Sequence, residues 1–196
     1  MYLKEEKKVS ESVLHSRRHC KKGTPLFFWF IRGISIWSIS GYRCIQVFVH
    51  LWTQFLWIEK LRQERDNHIS YQDFIREVGT PNILLTNNSK SQVGKKWTET
   101  SRKNKTQKKQ SSLDKQNQKQ SERKFGDVKN RVAYTLFTFS APIVLWCYCI
   151  YFFVYCLNMT SWCRLNYKKP TEDLTGLTLN IPHLNFTFYH KAWHYK

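Results

Sequence analysis

Val132–Cys163 reads VAYTLFTFSAPIVLWCYCIYFFVYCLNMTSWC, and no Asp, Glu, Lys, Arg or His occurs in it. A run of about 20 mainly apolar residues, rising about 1.5 Å per residue as a helix, crosses the ~30 Å hydrocarbon layer of a bilayer. Residues 132–158 are therefore expected to form a transmembrane helix, with the excess length taken up by tilt. Pro142 interrupts the run, but within a membrane its freed carbonyl can be met by Thr138, Ser140 or a second helix. The flanks agree: Asn130-Arg131 precedes the run, Arg164, Lys168 and Lys169 follow it, and Tyr134 and Trp162 stand near its ends.

A second apolar zone covers residues 26–58, LFFWFIRGISIWSISGYRCIQVFVHLWTQFLWI. Arg32 and Arg43 interrupt it, and each is costly at a bilayer centre. On a helix, Arg43, Gln46, His50, Thr53 and Gln54 fall near one face, a narrow polar stripe on a broad apolar surface. That pattern predicts either an interfacial helix or a second span whose stripe packs on the first.

The chain carries 32 Lys+Arg against 14 Asp+Glu, a formal net charge of +18. The surplus is concentrated in residues 59–131, where Lys95–Arg131 is dominated by Lys, Gln, Ser, Asn and Thr. So few apolar residues there leave too little burial to offset backbone ordering, and residues 86–131 are expected to be a disordered basic linker. Before it, Ser70 and Asp73 resemble a helix cap, followed by an apolar stripe of Tyr71, Phe74, Ile75 and Val78 and a stop at Gly79-Thr80-Pro81. The chain thus divides into a basic polar lead (1–25), an apolar segment (26–58), a short amphipathic helix region (59–85), the linker (86–131), the span (132–158) and a tail (159–196) with two short strands around residues 177–188.

The fold class implied is an α-helical membrane protein: one transmembrane helix, a second segment that spans or lies in the interface, and a disordered basic linker. The more basic flank belongs on the cytosolic side, which places residues 59–131 in the cytosol. The expected partner is the lipid bilayer, with anionic head groups drawn to residues 95–131. Nucleic acid is a weaker candidate, because Trp97 and Phe125 alone offer stacking surface there, and Arg102, Lys103 and Lys105 have no defined geometry in a disordered run.

Chemistry is sparse. His15/His19 and His190/His194 have helical metal-ligand spacing but no carboxylate to complete a site. The six Cys form no CxxC pair; those near the span act as small apolar residues, and Cys163 is a candidate for palmitoylation. No P-loop, dinucleotide fingerprint, GxSxG or HExxH occurs, so no catalytic residue, cofactor or metal ligand is assigned and an enzyme is not expected. Of the four Asn-x-Ser/Thr sequons, Asn185 is the usable glycosylation site if the tail faces a lumen, while Asn158 lies too near the span. Scarce Ala (Ala133, Ala141 and Ala192) beside abundant Lys, Asn, Phe and Ile is also what an unselected AT-rich frame yields. The reading is a small integral membrane protein of unknown, non-enzymatic role, or the product of such a frame. The alternative is a basic nucleic-acid-binding or interaction protein whose apolar runs are its core.

Overall fold

The computed structural model describes residues 26–30, 35–86, 95–110, 116–178 and 188–189, with the backbone alone for residues 26–30, 86, 110 and 116–123. The lead at 1–25, both histidine pairs, Asn185 and most of the expected C-terminal strands lie outside the described residues.

The first apolar zone forms strands. β1 (Leu26–Phe30), β2 (Cys44–His50) and β3 (Leu56–Leu61) make an antiparallel meander, with Phe28 opposite Phe48 and Phe48 opposite Trp57. Every residue of β2 is buried, so the strand is covered on both faces and must be apolar almost throughout. The polar stripe assumed a period of 3.6. At the strand period of 2, Cys44, Gln46 and Phe48 point one way and Ile45, Val47 and Val49 the other. Gln46 is carried inside by a hydrogen bond from the Ser70 hydroxyl.

The meander is extended by two parallel strands, β4 (Ile83–Thr86) beside β1 and β5 (Gln107–Gln110) beside β4, giving the order β3-β2-β1-β4-β5. Helix α1 (Asn67–Val78) joins β3 to β4, and α2 (Lys95–Lys103) lies between β4 and β5. α1 begins three positions before Ser70, so Ser70 is not its cap; it lies buried within the helix, bonded to Gln46 and to the Asn67 carbonyl. At the other end Gly79, at φ 106°, takes a conformation that costs glycine little, and its N–H closes the last turn on the Ile75 carbonyl. On this face of the sheet Phe48, Leu84, Tyr71, Phe74 and Trp97 form one cluster.

The opposite face is covered by α3 (Gln116–Thr138) and α4 (Trp146–Met159). Much of the supposed disordered linker is therefore ordered as α2, β5 and α3. The few apolar residues of its end suffice because Phe125 and Val128 align at helical spacing with Val132 and Leu136 from the start of the expected span, and all four are buried.

The continuous span expected at 132–158 does not form. α3 stops at Thr138 with Ser140 in the left-handed region (φ 49°), while the Ala141 N–H bonds the Leu136 carbonyl and the Ser140 N–H bonds the Phe137 carbonyl. These two bonds satisfy the free carbonyls of a helix end, and Pro142 then prevents resumption in the same direction. Among the described residues no single helix is long and apolar enough to cross a membrane; residues 143–175 reach that length only as a pair bent by 46°. The apolar surface is instead used internally. Trp146, Cys147, Cys149, Ile150 and Val154 of α4 join Ile45, Val47, Val49 and Ile58 of the sheet. The α-helical membrane fold is thus corrected to a mixed α/β sandwich. The transmembrane and membrane-location assignments fall with it, as does the lipid partner. The unselected-frame reading is set aside, because two clusters of interlocking long-range contacts on opposite faces of one sheet require sequence consistency at every level.

α4 also closes the sheet edge at β3. Asn158 receives the Leu56 N–H on its side-chain oxygen (2.9 Å) and donates its amide to the Leu56 carbonyl (2.8 Å), while the Tyr151 hydroxyl donates to the Ile58 carbonyl. Side chains here stand where another strand would pair, which protects the edge. The short helix α5 (Pro170–Thr175) docks on the same residue, the Thr171 hydroxyl donating to the Asn158 carbonyl (2.8 Å).

Candidate nucleic-acid interface

Between residues 95 and 109 the chain carries seven cations, Lys95, Lys96, Arg102, Lys103, Lys105, Lys108 and Lys109, against the single acid Glu99. The structure gives this run a geometry: α2 supplies the first four, the turn Lys105, and β5 the last two at the open edge of the sheet. All except Lys108 are exposed. The cations project outward because α2 is amphipathic. Trp97, Thr100 and Ser101 face inward, and Trp97 packs 4.6 Å from the Tyr71 ring, whose hydroxyl bonds Thr106 at 2.8 Å. Lys108 lies 5.7 Å over the Trp97 ring and donates to the Thr98 hydroxyl, and burial pushes its ammonium down from the ordinary lysine range. Lysines on an edge strand also discourage pairing with a second sheet, so part of this charge serves solubility.

Trp97 and Phe125, the expected stacking surfaces, are 1% and 7% exposed and belong to the core. The cations thus offer contacts to phosphate without an aromatic platform. Arg102, Lys103 and Lys105, unplaceable in a disordered run, stand together at the end of α2 and the turn that follows it. The amphipathic stripe of α2, with Trp97, Thr100 and Ser101 at spacings of three and one, was the sequence signal for this face.

The far side of the sheet has the opposite character. Glu59 on β3 accepts the Trp57 indole N–H at 2.9 Å, and Asp73 and Glu77 stand near it on α1. Burial, reinforced by these two carboxylates, pushes Glu59 up to about 7 despite the Trp57 bond and Lys60. Burial and Asp73 likewise raise Glu77. The β5 edge is thus strongly basic, whereas beside β3 the carboxylates Glu59, Asp73 and Glu77 are mixed with Lys60, Arg62 and Arg76, the last paired with Asp73. A nucleic acid would meet its strongest attraction at the β5 edge.

The parallel neighbours β1 and β4 mark the point where the chain leaves the meander for the other half of the sheet, and ligands of open α/β sheets gather beyond such carboxyl ends. No carboxylate belongs to β1 or β4. In sequence, Ile31-Arg32-Gly33-Ile34 after the first and NNSKSQVG (87–94) after the second also lack Asp and Glu. Among the described residues no group of three His, Cys, Asp or Glu could hold a metal ion. Cys149 is buried and its thiol is pushed up to about 12, while Cys163 is exposed and free. With the span gone, the membrane context for palmitoylating Cys163 goes too. Asn158, a sequon in the sequence, is consumed in pairing β3.

No family model and no curated protein matches the chain. Solved structures do. The HTLV-2 integrase catalytic core domain, in complex with magnesium and in trimeric form, is similar with a TM-score of 0.59 at 16% identity, over 79% of this chain and 97% of that one. The catalytic core domain of BIV integrase is similar with a TM-score of 0.61 at 14% identity, over 78% and 93%. A chain of the simian T-cell lymphotropic virus intasome, in complex with PP2A regulatory subunit B56 gamma, is similar with a TM-score of 0.64 at 11% identity, over 83% of this chain and 57% of that one. The architecture is thus that of retroviral integrase catalytic cores. This corrects the expectation of a non-enzymatic membrane protein, because the same sandwich serves as the catalytic core in those proteins.

Proposed function

We propose that this chain binds nucleic acid, using the integrase-core architecture to present the basic edge formed by α2 and β5 to the phosphate backbone. The observation that carries the reading is the ordered set of six exposed cations, Lys95, Lys96, Arg102, Lys103, Lys105 and Lys109, at one edge of the sheet. A basic stripe of this kind supplies affinity that does not depend on sequence, through release of condensed counterions. Likeness to integrase cores supports nucleic acid as the polyanion over a lipid surface.

Magnesium, present in the HTLV-2 core, takes hard oxygen ligands, chiefly carboxylates. The described residues of this chain do not fit it, having neither a carboxylate on β1 or β4 nor a clustered ligand set. The proposed contact stands on the cations alone.

Fluorescence anisotropy with duplex DNA between 50 and 200 mM salt, both about these values, tests it. Contact with about four or five phosphates gives a log–log slope of about −4 and similar affinity for unrelated sequences. Replacing Lys103, Lys105 and Lys109 together by Gln is expected to reduce that slope by about 3. Binding that ignores salt, or a slope unchanged in the triple variant, overturns the proposal.

A further inference from the structure

Lys124 on α3 differs from the lysines of the basic edge. Its Nζ donates to the Gln54 carbonyl at 3.3 Å and lies 4.6 Å from the centre of the Trp162 ring. It borders a cavity of about 40 Å³, whose other walls are Gln54, Leu56, Asp127, Arg131, Leu157 and Trp162. Gln54 belongs to the turn joining β2 to β3, and the adjoining His50 pairs with Leu26. The cavity therefore sits at the end of the sheet where β1 begins, away from the carboxyl ends of β1 and β4.

We propose that this cavity is a binding site for a phosphate monoester group, held by Lys124 and Arg131 in the added field of Arg164 and supplied by the terminal phosphate of a nucleic-acid strand.

Three features support it. The first is charge. Burial, with Arg164 acting in the same direction, pushes the Lys124 ammonium down to about 8, and Lys124 has no ion-pair partner among the described residues. Lys124 and Arg131 against Asp127 leave one positive charge on the walls, and Arg164, outside the walls but near enough to act on Lys124, adds a second, against a charge of about −1.5 to −2 on a phosphate monoester near pH 7. The second is size. At roughly 10–15 Å³ for each water-sized group, the cavity has room for about three such groups, which limits it to a small anionic group. A diester running through a strand has only two free oxygens and a chain leaving on both sides. The third is the wall. Leu56, Leu157 and the Trp162 ring lower the local dielectric, which strengthens a charge-assisted bond to an anion. Assignment of the phosphate to a strand end rests on the nucleic-acid reading; the anion site itself does not.

The test uses the full chain and two probes. Inorganic phosphate is titrated while the Trp162 indole N–H is followed by NMR at constant ionic strength. Anisotropy then compares single strands that differ only in a 5′-phosphate or 5′-hydroxyl end. A saturable indole shift and a preference of about tenfold for the phosphorylated strand are expected, both lost in Lys124→Gln while the hydroxyl-ended strand still binds. Absence of the shift, or a preference that persists in Lys124→Gln, overturns the site. A saturable shift with equal affinity for the two strands overturns the strand-end assignment and makes free phosphate the ligand. Failure of both strands to bind while the shift remains sinks the nucleic-acid reading and not the cavity. Lys124→Met serves as a second variant: it is expected to melt no lower than the parent, so that loss of the shift in it reports the missing charge and not unfolding.

Discussion

On one face of β2, Phe48 stacks 4.2 Å from Phe74 among Tyr71, Leu84 and Trp97; on the other, Val47 and Val49 meet Trp146, Cys149, Ile150 and Val154 of α4. The first face is built of a few large rings plus one polar pair, Gln46 with Ser70. The second is built of many smaller groups, and its polar member, Asn158, pairs a strand edge. A sheet covered on both sides can thus be packed in two styles, and the ring-built face concentrates its stability in single side chains.

The largest effect should come from breaking the ring-built face. Phe48→Ala removes a side chain 1% exposed from a stack and is expected to cost about 4 kcal/mol, read as a lowered urea midpoint with unchanged slope. A loss below about 1 kcal/mol would show that this face is loosely packed.

On the other face Asn158→Leu leaves the Leu56 N–H and carbonyl without their partner. A loss of about 3 kcal/mol is expected by the same measurement, with earlier exchange of the Leu56 amide in hydrogen-exchange experiments.

Two smaller effects sharpen the contrast, because Lys124 on one face and Glu59 on the other respond to pH with opposite sign. Lys124 has its ammonium lowered from 10.5 to about 8. Between those values the unfolded chain binds the extra proton, so stability rises with pH across that window and is lost as pH falls through about 8. Lys124→Met should remove this slope and add about 2 kcal/mol at pH 7, seen by comparing urea midpoints at pH 7 and 10. Glu59 is raised from 4.5 to about 7, so here the folded chain binds the extra proton. Stability is present below about 4.5 and declines as pH rises through about 7. Glu59→Gln should flatten that decline and stabilise the protein at pH 8 by about 1–2 kcal/mol. Parallel pH profiles for parent and variant would contradict the burial of either group.

Particular residues show what could be read without the structure and what could not. Tyr71 and Phe74 lie at helical spacing on α1 and face the core, and Gly79 ends that helix through its own conformational freedom. Phe125, Val128, Val132 and Leu136 also lie at helical spacing, yet the basic composition around the first two argued for disorder and the apolar run around the last two for a span. There, alignment of the apolar residues outweighed their scarcity. Cys44–His50 defeated periodicity for a physical reason. A strand buried on both faces has no polar side to alternate with, and so resembles a lipid-facing run. Nor did local sequence disclose the Lys124 cavity, since Gln54, Lys124, Leu157 and Trp162 come from separate parts of the chain.

The sequence by itself determined the charge surplus, the apolar inventory and the helix stop at Gly79, because each depends on side-chain chemistry or on backbone torsions within a few residues. Only the tertiary structure decided that the two apolar runs bury each other instead of facing lipid, that β1 lies between β2 and β4, and that the basic run forms one edge of a sheet. Hydrophobicity states that a surface must leave water, but the identity of the surface that covers it is settled by contacts between residues distant in the chain.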